Sequence, residues 1–128
     1  MDIGKLEELL RKAWAGETSS DAARWTPENP AWGQCAITTL IVNDYLGGRL
    51  LWASATLPSG EEISHYFNEV QDGSIVDLTR VQFPEGTHIP EGIDKKKEFP
   101  STRDYVLSYP ATAQRYALLK QRVQTLLE

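Results

Sequence analysis

Apolar residues recur at helical spacing from the start of the chain. Ile3, Leu6, Leu9, Leu10, Ala13 and Trp14 follow Asp2, a good N-cap residue, and Gly16 comes after them. This predicts an amphipathic helix over residues 2–15. The segment from Glu17 to Gly33 is rich in Ser, Pro, Asn and Trp, including Thr26-Pro27 and Asn29-Pro30, and reads as a loop kept ordered by Trp25 and Trp32. Cys35–Leu46 is apolar or small on almost every side and ends at Gly47-Gly48, which predicts a buried helix with a glycine C-cap. Residues 49–57 and 62–70 read as strands, and Ser74–Thr79 completes an antiparallel meander. Residues 84–100 hold three Pro, two Gly and three consecutive lysines and are expected as a polar surface loop rather than a packed element. Ser101-Thr102-Arg103-Asp104 has a capping-box pattern opening a short helix that Pro110 interrupts. A last helix is expected from Ala111 to about Leu127, with Tyr116, Leu119, Val123 and Leu126 on one stripe.

A chain of 128 residues leaves room for one domain, so residues 1–128 are expected to form a single α+β unit. Its apolar runs, around residues 37–42 and 49–57, fall well short of the ~20 residues a membrane span needs. The N-terminal residues lack a basic, then apolar, secretory pattern, so the cytoplasm is the expected location and no membrane the expectation for partners. The net charge of −5 and the absence of a basic run longer than Lys95-Lys96-Lys97 argue against nucleic acid. Residues 1–85 carry six basic and thirteen acidic side chains, whereas residues 86–128 carry seven and five. A site in the first part therefore lies in a negative field, which disfavours anionic substrates.

The single cysteine, Cys35, has no partner for an internal disulfide, and with His65 and His88 it does not make a structural zinc spacing. It opens the buried helix, where unpaired backbone N–H groups and the positive end of the dipole favour a thiolate. A lone cysteine is often a small inert core residue, so its meaning depends on company. His65, within the second strand, is a candidate base, and Asp77, on the following strand, a candidate group to orient the imidazole. Asn68 is the second choice as orienter, because three positions from His65 on one strand it is expected on the opposite face.

Whether His65 and Asp77 meet depends on the turn between them. A two-residue Asp72-Gly73 loop puts them on opposite faces of the sheet. A three-residue Gln71-Asp72-Gly73 loop, with Gly73 left-handed, pairs Val70 with Ser74 and makes Asp77 a diagonal neighbour of His65 on one face. The residues themselves leave both open. Trp14, Trp25 and Trp52 are expected as packing anchors, whereas Trp32, three residues before Cys35, is placed to wall a cleft and contact substrate. His88 is expected to be exposed in its loop, and Arg80 either pairs with a carboxylate near the site or with none.

Three stretches carry a resemblance: Asn29-Pro30-Ala31-Trp32-Gly33-Gln34-Cys35-Ala36, Ser64-His65-Tyr66-Phe67-Asn68, and Val76-Asp77-Leu78-Thr79-Arg80-Val81-Gln82-Phe83. Together with Arg103-Asp104-Tyr105-Val106-Leu107 and Arg115-Tyr116, they resemble the YunG-like family of small bacterial proteins. More distantly, the order of helix-start Cys, strand His and a polar residue twelve positions later is similar to papain-like cysteine hydrolases of the NlpC/P60 type. That likeness implies a papain-like α+β fold, a central Cys-bearing helix packed on an antiparallel sheet and flanked by N- and C-terminal helices. It also implies Cys35 as nucleophile, His65 as base and Asp77 as orienter. Those relatives usually have Asp-Cys-Ser where this chain has Gln34-Cys35-Ala36, and they are commonly exported, so cell-wall peptide cleavage does not carry over. Gln34 is a further candidate, its amide donating to an oxyanion beside the Cys35 N–H. The resulting expectation is a thiol-dependent hydrolase or acyltransferase acting on an amide, isopeptide or ester bond of a small-molecule or peptide substrate, with no metal or organic cofactor. Its rival is a non-catalytic binding or interaction protein on the same scaffold, with Cys35 as packing.

Overall fold

Asp2 opens the first helix: its side chain accepts from the Lys5 N–H at 2.8 Å and caps α1 (Ile3–Ala13). A computed structural model describes residues 1–128. After α1 the order is α2 (Cys35–Leu46), β1 (Arg49–Thr56), β2 (Glu62–Glu69), β3 (Ile75–Val76), α3 (Thr102–Leu107) and α4 (Pro110–Leu127). The three strands form one antiparallel sheet in the order β1-β2-β3. The architecture is thus mixed α+β, with four helices around a small antiparallel sheet. No helix is long and apolar enough to cross a membrane.

The unbroken apolar character of α2 has its physical reason in the packing. Ile37 to Val42 are all buried, because α2 packs on the sheet along one side and on α4 along another. The largest apolar cluster joins Leu6, Leu9 and Leu10 of α1, Ile37, Ile41 and Val42 of α2, and Leu119 and Val123 of α4. Trp14, just past α1, is buried among them and donates its indole N–H to Thr38 Oγ1 at 2.9 Å. Leu40, Leu50 and Val106 form a second cluster between α2, β1 and α3. Arg103 ties three helices together, donating to the Leu40 carbonyl, to Asn43 Oδ1, to Asp44 Oδ1 and to the Tyr116 hydroxyl. Pro110 begins α4 at a position where its missing N–H costs nothing.

Three expectations need correction. The third strand is shorter than Ser74–Thr79: only Ile75 and Val76 pair, with Glu69 and Asn68, and the chain then turns away into a 3₁₀ turn at Arg80–Gln82. The segment 84–100 is more than a surface loop. Its backbone bridges β1 twice, His88 with Thr56 and Ile93 with Trp52, covering an edge that would otherwise be open, and Ile89 packs on Leu51, Ala53 and Phe67. Its polar side chains face outward while its main chain supplies the contact, which is why composition alone misreads it. Leu126 stays 43% exposed, so the buried stripe of α4 ends at Val123.

Candidate active site

Cys35 is the first residue of α2, and Gln34 before it makes no side-chain cap to the helix. The N–H groups of the first turn are therefore free of a capping oxygen and point toward the start of the helix. The chain entering this turn is held firmly. Ser19 Oγ donates to the Trp32 carbonyl at 2.7 Å, the Ser20 N–H donates to the Gly33 carbonyl at 2.9 Å, and the Gly33 N–H donates to Gln82 Oε1 at 3.2 Å. Cys35 Sγ lies 3.9 Å from the carbonyl oxygen of Ser64, the neighbour of His65 on β2. β3 pairs only with Asn68 and Glu69, so this stretch of β2 is left unpaired on its β3 side.

His65 Nε2 and Asp77 Oδ2 are 2.7 Å apart. The hairpin that joins them has the three-residue loop: the Val70 N–H donates to the Ser74 carbonyl at 2.9 Å, and Gly73 has φ of +88°. With Asn68 opposite Val76, the register puts Asp77 diagonally across from His65 on one face. His65 is fully buried, stacked on Phe67 at 5.6 Å between ring centres and met edge-on by Phe83 at 5.0 Å. Burial pushes the imidazole toward its neutral form, but the hydrogen bond to Asp77 and the nearby Cys35 side chain outweigh this, and the pKa of His65 is raised to about 9. Nε2 is engaged by Asp77, and Nδ1 is buried without a hydrogen-bond partner. Nδ1 is therefore the ring nitrogen that the carboxylate leaves free.

The thiol is reachable from two sides. Cys35 lines one cleft of about 360 Å³ with Trp32, Asp21, Glu61, Glu62 and Gln82, and a second of about 360 Å³ with Tyr66, Lys95, Tyr105, Tyr109 and Arg115. Ser20 and Ser64 border both. Trp32 is held by its indole N–H, which donates to Asp21 Oδ2 at 3.2 Å, and by Arg24, 5.4 Å above its ring. The chain thus brings Cys35, His65, Asp77 and Trp32 into one region.

Gln34 does not join them, and its expected oxyanion role needs correction. Its side chain is fully buried, with Nε2 donating to the Ala15 carbonyl at 2.9 Å and Oε1 2.8 Å from Thr18 Oγ1. Chain geometry at the helix start turns the amide inward, so it braces the loop before α2. Asn68 lies on the opposite face from His65, donating to the Thr39 carbonyl at 3.0 Å. His88 is exposed, and Arg80 is exposed without an ion pair.

A family model described as YunG protein matches residues 2–128. The chain belongs to the YunG family. A relative in Bacillus subtilis (strain 168), bearing the name "Uncharacterized protein YunG", is 33% identical over 85 residues, which cover 64% of this chain and 66% of that protein. The chain thus spans just under two thirds of that relative's length. No solved structure matches the chain significantly, so the papain-like part of the expected fold has no structural neighbour behind it, and mixed α+β is what stands.

In this YunG-family chain, residues that sequence reading passed over also border the thiol. Gln82 holds the Gly33 N–H through Oε1 and donates from Nε2 to the Thr79 carbonyl at 2.9 Å, fixing the turn below Cys35. Tyr66, next to His65 on the strand, faces the second cleft, and burial pushes its hydroxyl well above the usual range. Arg115 arrives from α4, eighty residues along the chain from Cys35. The Ser64–Asn68, Val76–Phe83 and Arg115-Tyr116 motifs contained all three of these residues, but nothing local showed which way they point.

Proposed function

We propose that this chain is a thiol-dependent hydrolase or acyltransferase acting on an amide, isopeptide or ester bond, working through Cys35, His65 and Asp77 on a papain-like scaffold. The observation that carries the reading is the 2.7 Å contact from His65 Nε2 to Asp77, which leaves a buried, unpartnered Nδ1 on a ring that also responds to Cys35. At neutral pH His65 already carries its proton on Nδ1, and the Cys35 sulfur, paired with that imidazolium, attacks the carbonyl carbon. The carbonyl oxygen takes up the negative charge against the free N–H groups at the start of α2. Collapse breaks the C–N or C–O bond, the leaving group takes the proton from His65, and a thioester remains on Cys35. Water or another nucleophile gives its proton to His65, attacks the thioester and releases the acyl group, restoring the thiol. Asp77 holds the ring in orientation and stabilises the imidazolium. Trp32 forms one wall of the substrate cleft.

The test uses iodoacetamide on the sole cysteine, followed by mass spectrometry across pH. His65→Ala is expected to slow alkylation near pH 7 by about tenfold or more, with His65→Gln as the variant that keeps the volume filled. Matching rate profiles for the wild type and both folded variants would overturn the reading and leave a binding protein with a structural cysteine.

A further inference from the structure

The two clefts that meet at Cys35 differ in charge. One is bordered by Asp21, Glu61 and Glu62 against a single guanidinium, Arg24, which is itself spent on Glu61 at 2.7 Å and Asp21 at 3.5 Å. The other is bordered by Lys95 and Arg115 and has no carboxylate in its lining. The chain has a net charge of −5, yet this side of the thiol carries two cations and no acid.

Those cations are not consumed by the fold. Neither Lys95 nor Arg115 forms an ion pair. Arg115 Nε is buried without a partner, and the guanidinium's one side-chain bond is a long one, from Nη2 to Thr112 Oγ1 at 3.4 Å. Burial holds Arg115 below its usual range, and Cys35 acts in the opposite sense, so the guanidinium and the thiol are electrostatic neighbours. Lys95 Nζ sits 4.1 Å from the centre of the Trp52 ring, which positions it without neutralising it. Hydroxyl groups complete the lining: Tyr66, and the Tyr105–Tyr109 pair joined at 2.9 Å. The Arg115 guanidinium is half-buried, and a fork of N–H donors beside hydroxyls matches the two oxygens of a carboxylate.

We propose that the cleft between β2 and the α3–α4 corner binds a carboxylate of the substrate through Arg115 and Lys95. The bond delivered to Cys35 then belongs to an amide or ester that carries a negative charge on this side and a neutral or cationic portion on the side of Glu61 and Glu62. This rests on the acyl-transfer reading and narrows its substrate class. It also reverses the expectation, drawn from the acidic first two thirds of the sequence, that anions are disfavoured. Both cations come from the last third of the chain, and folding carries them to the thiol.

Two alkylating agents of similar size and opposite character test this on the intact chain: iodoacetate, itself a carboxylate, and neutral iodoacetamide. At fixed pH and low salt, the rate ratio of iodoacetate to iodoacetamide at Cys35 is expected to exceed that of N-acetylcysteine by about threefold or more and to fall toward it in high salt. Lys95→Gln and Arg115→Gln should each lower the ratio by slowing iodoacetate more than iodoacetamide. Lys95 is half-buried outside the helices and forms no side-chain hydrogen bond or ion pair, so its variant is informative even if the Arg115 substitution unfolds α4. A ratio equal to that of N-acetylcysteine overturns the proposal, as does a preference that survives in both variants or an equal slowing of both reagents. The pH profile with iodoacetamide reads the His65–Cys35 pair and the charge ratio reads Lys95 and Arg115, so each reading can fail without the other.

Discussion

Val70 and Ser74 are joined across the β2–β3 hairpin by a 2.9 Å bond from the Val70 N–H to the Ser74 carbonyl, and that one bond decides where Asp77 points. A loop shorter by one residue would pair Gln71 with Ser74 and send the carboxylate to the other side of the sheet. With the longer loop, Asp77 leaves the end of β3 directly against His65. The short third strand serves the same arrangement. Because pairing stops at Val76, the chain can bend into the Arg80–Gln82 turn, and Gln82 reaches back to secure Gly33 two residues before the thiol.

His65 links the site to stability. Its folded pKa of about 9 lies above the ordinary 6.5, so the folded state binds this proton more tightly than the unfolded chain does. The stabilisation is complete below about pH 6.5 and is lost as pH rises through about 9, on the order of 3 kcal/mol in all. Urea titrations from pH 6 to 10 should show that decline. In Asp77→Asn the hydrogen bond can persist but the charge is gone, so the ring resonance of His65 in NMR titration should move to a clearly lower pKa and the pH dependence of stability should flatten. An unchanged titration would show that Asp77 does not govern the imidazole.

Gln34 is expected to matter for folding rather than for chemistry. Replacing it with Leu removes its two bonds, to Ala15 and Thr18, while those residues keep their bonds to each other, at a cost of about 1–3 kcal/mol. The iodoacetamide rate of the folded variant at neutral pH should stay close to wild type. Full stability combined with lost thiol reactivity would return Gln34 to the site.

Gly48 marks where α2 hands over to β1. Its φ is +77°, and a Cβ there would lie 1.9 Å from the Glu69 carbonyl oxygen, a backbone atom that can move only with its strand. Gly48→Ala should therefore cost about 3 kcal/mol or more, read as a large drop in thermal midpoint. A drop of only a few degrees would mean that the β1–β2 ladder, which begins at Arg49 opposite Glu69, yields easily at this end.

The sequence by itself determined the parts whose physics is local. Asp2, Ser101, Pro110 and Gly47 set helix ends through capping and backbone geometry, and the apolar circumference of α2 required a buried helix with Cys35 at its start. Alternation and turn residues fixed two strands, and the spacing from His65 to Asp77 allowed their meeting without choosing it. Tertiary structure decided everything that depends on direction or distance along the chain. It selected the hairpin loop, turned Gln34 inward, laid the polar 84–100 segment along β1, and brought Lys95 and Arg115 from the far end of the chain to the mouth of the thiol cleft. Side-chain orientation at a helix start and contact between residues eighty positions apart are set by packing of the whole, and no local pattern encodes them.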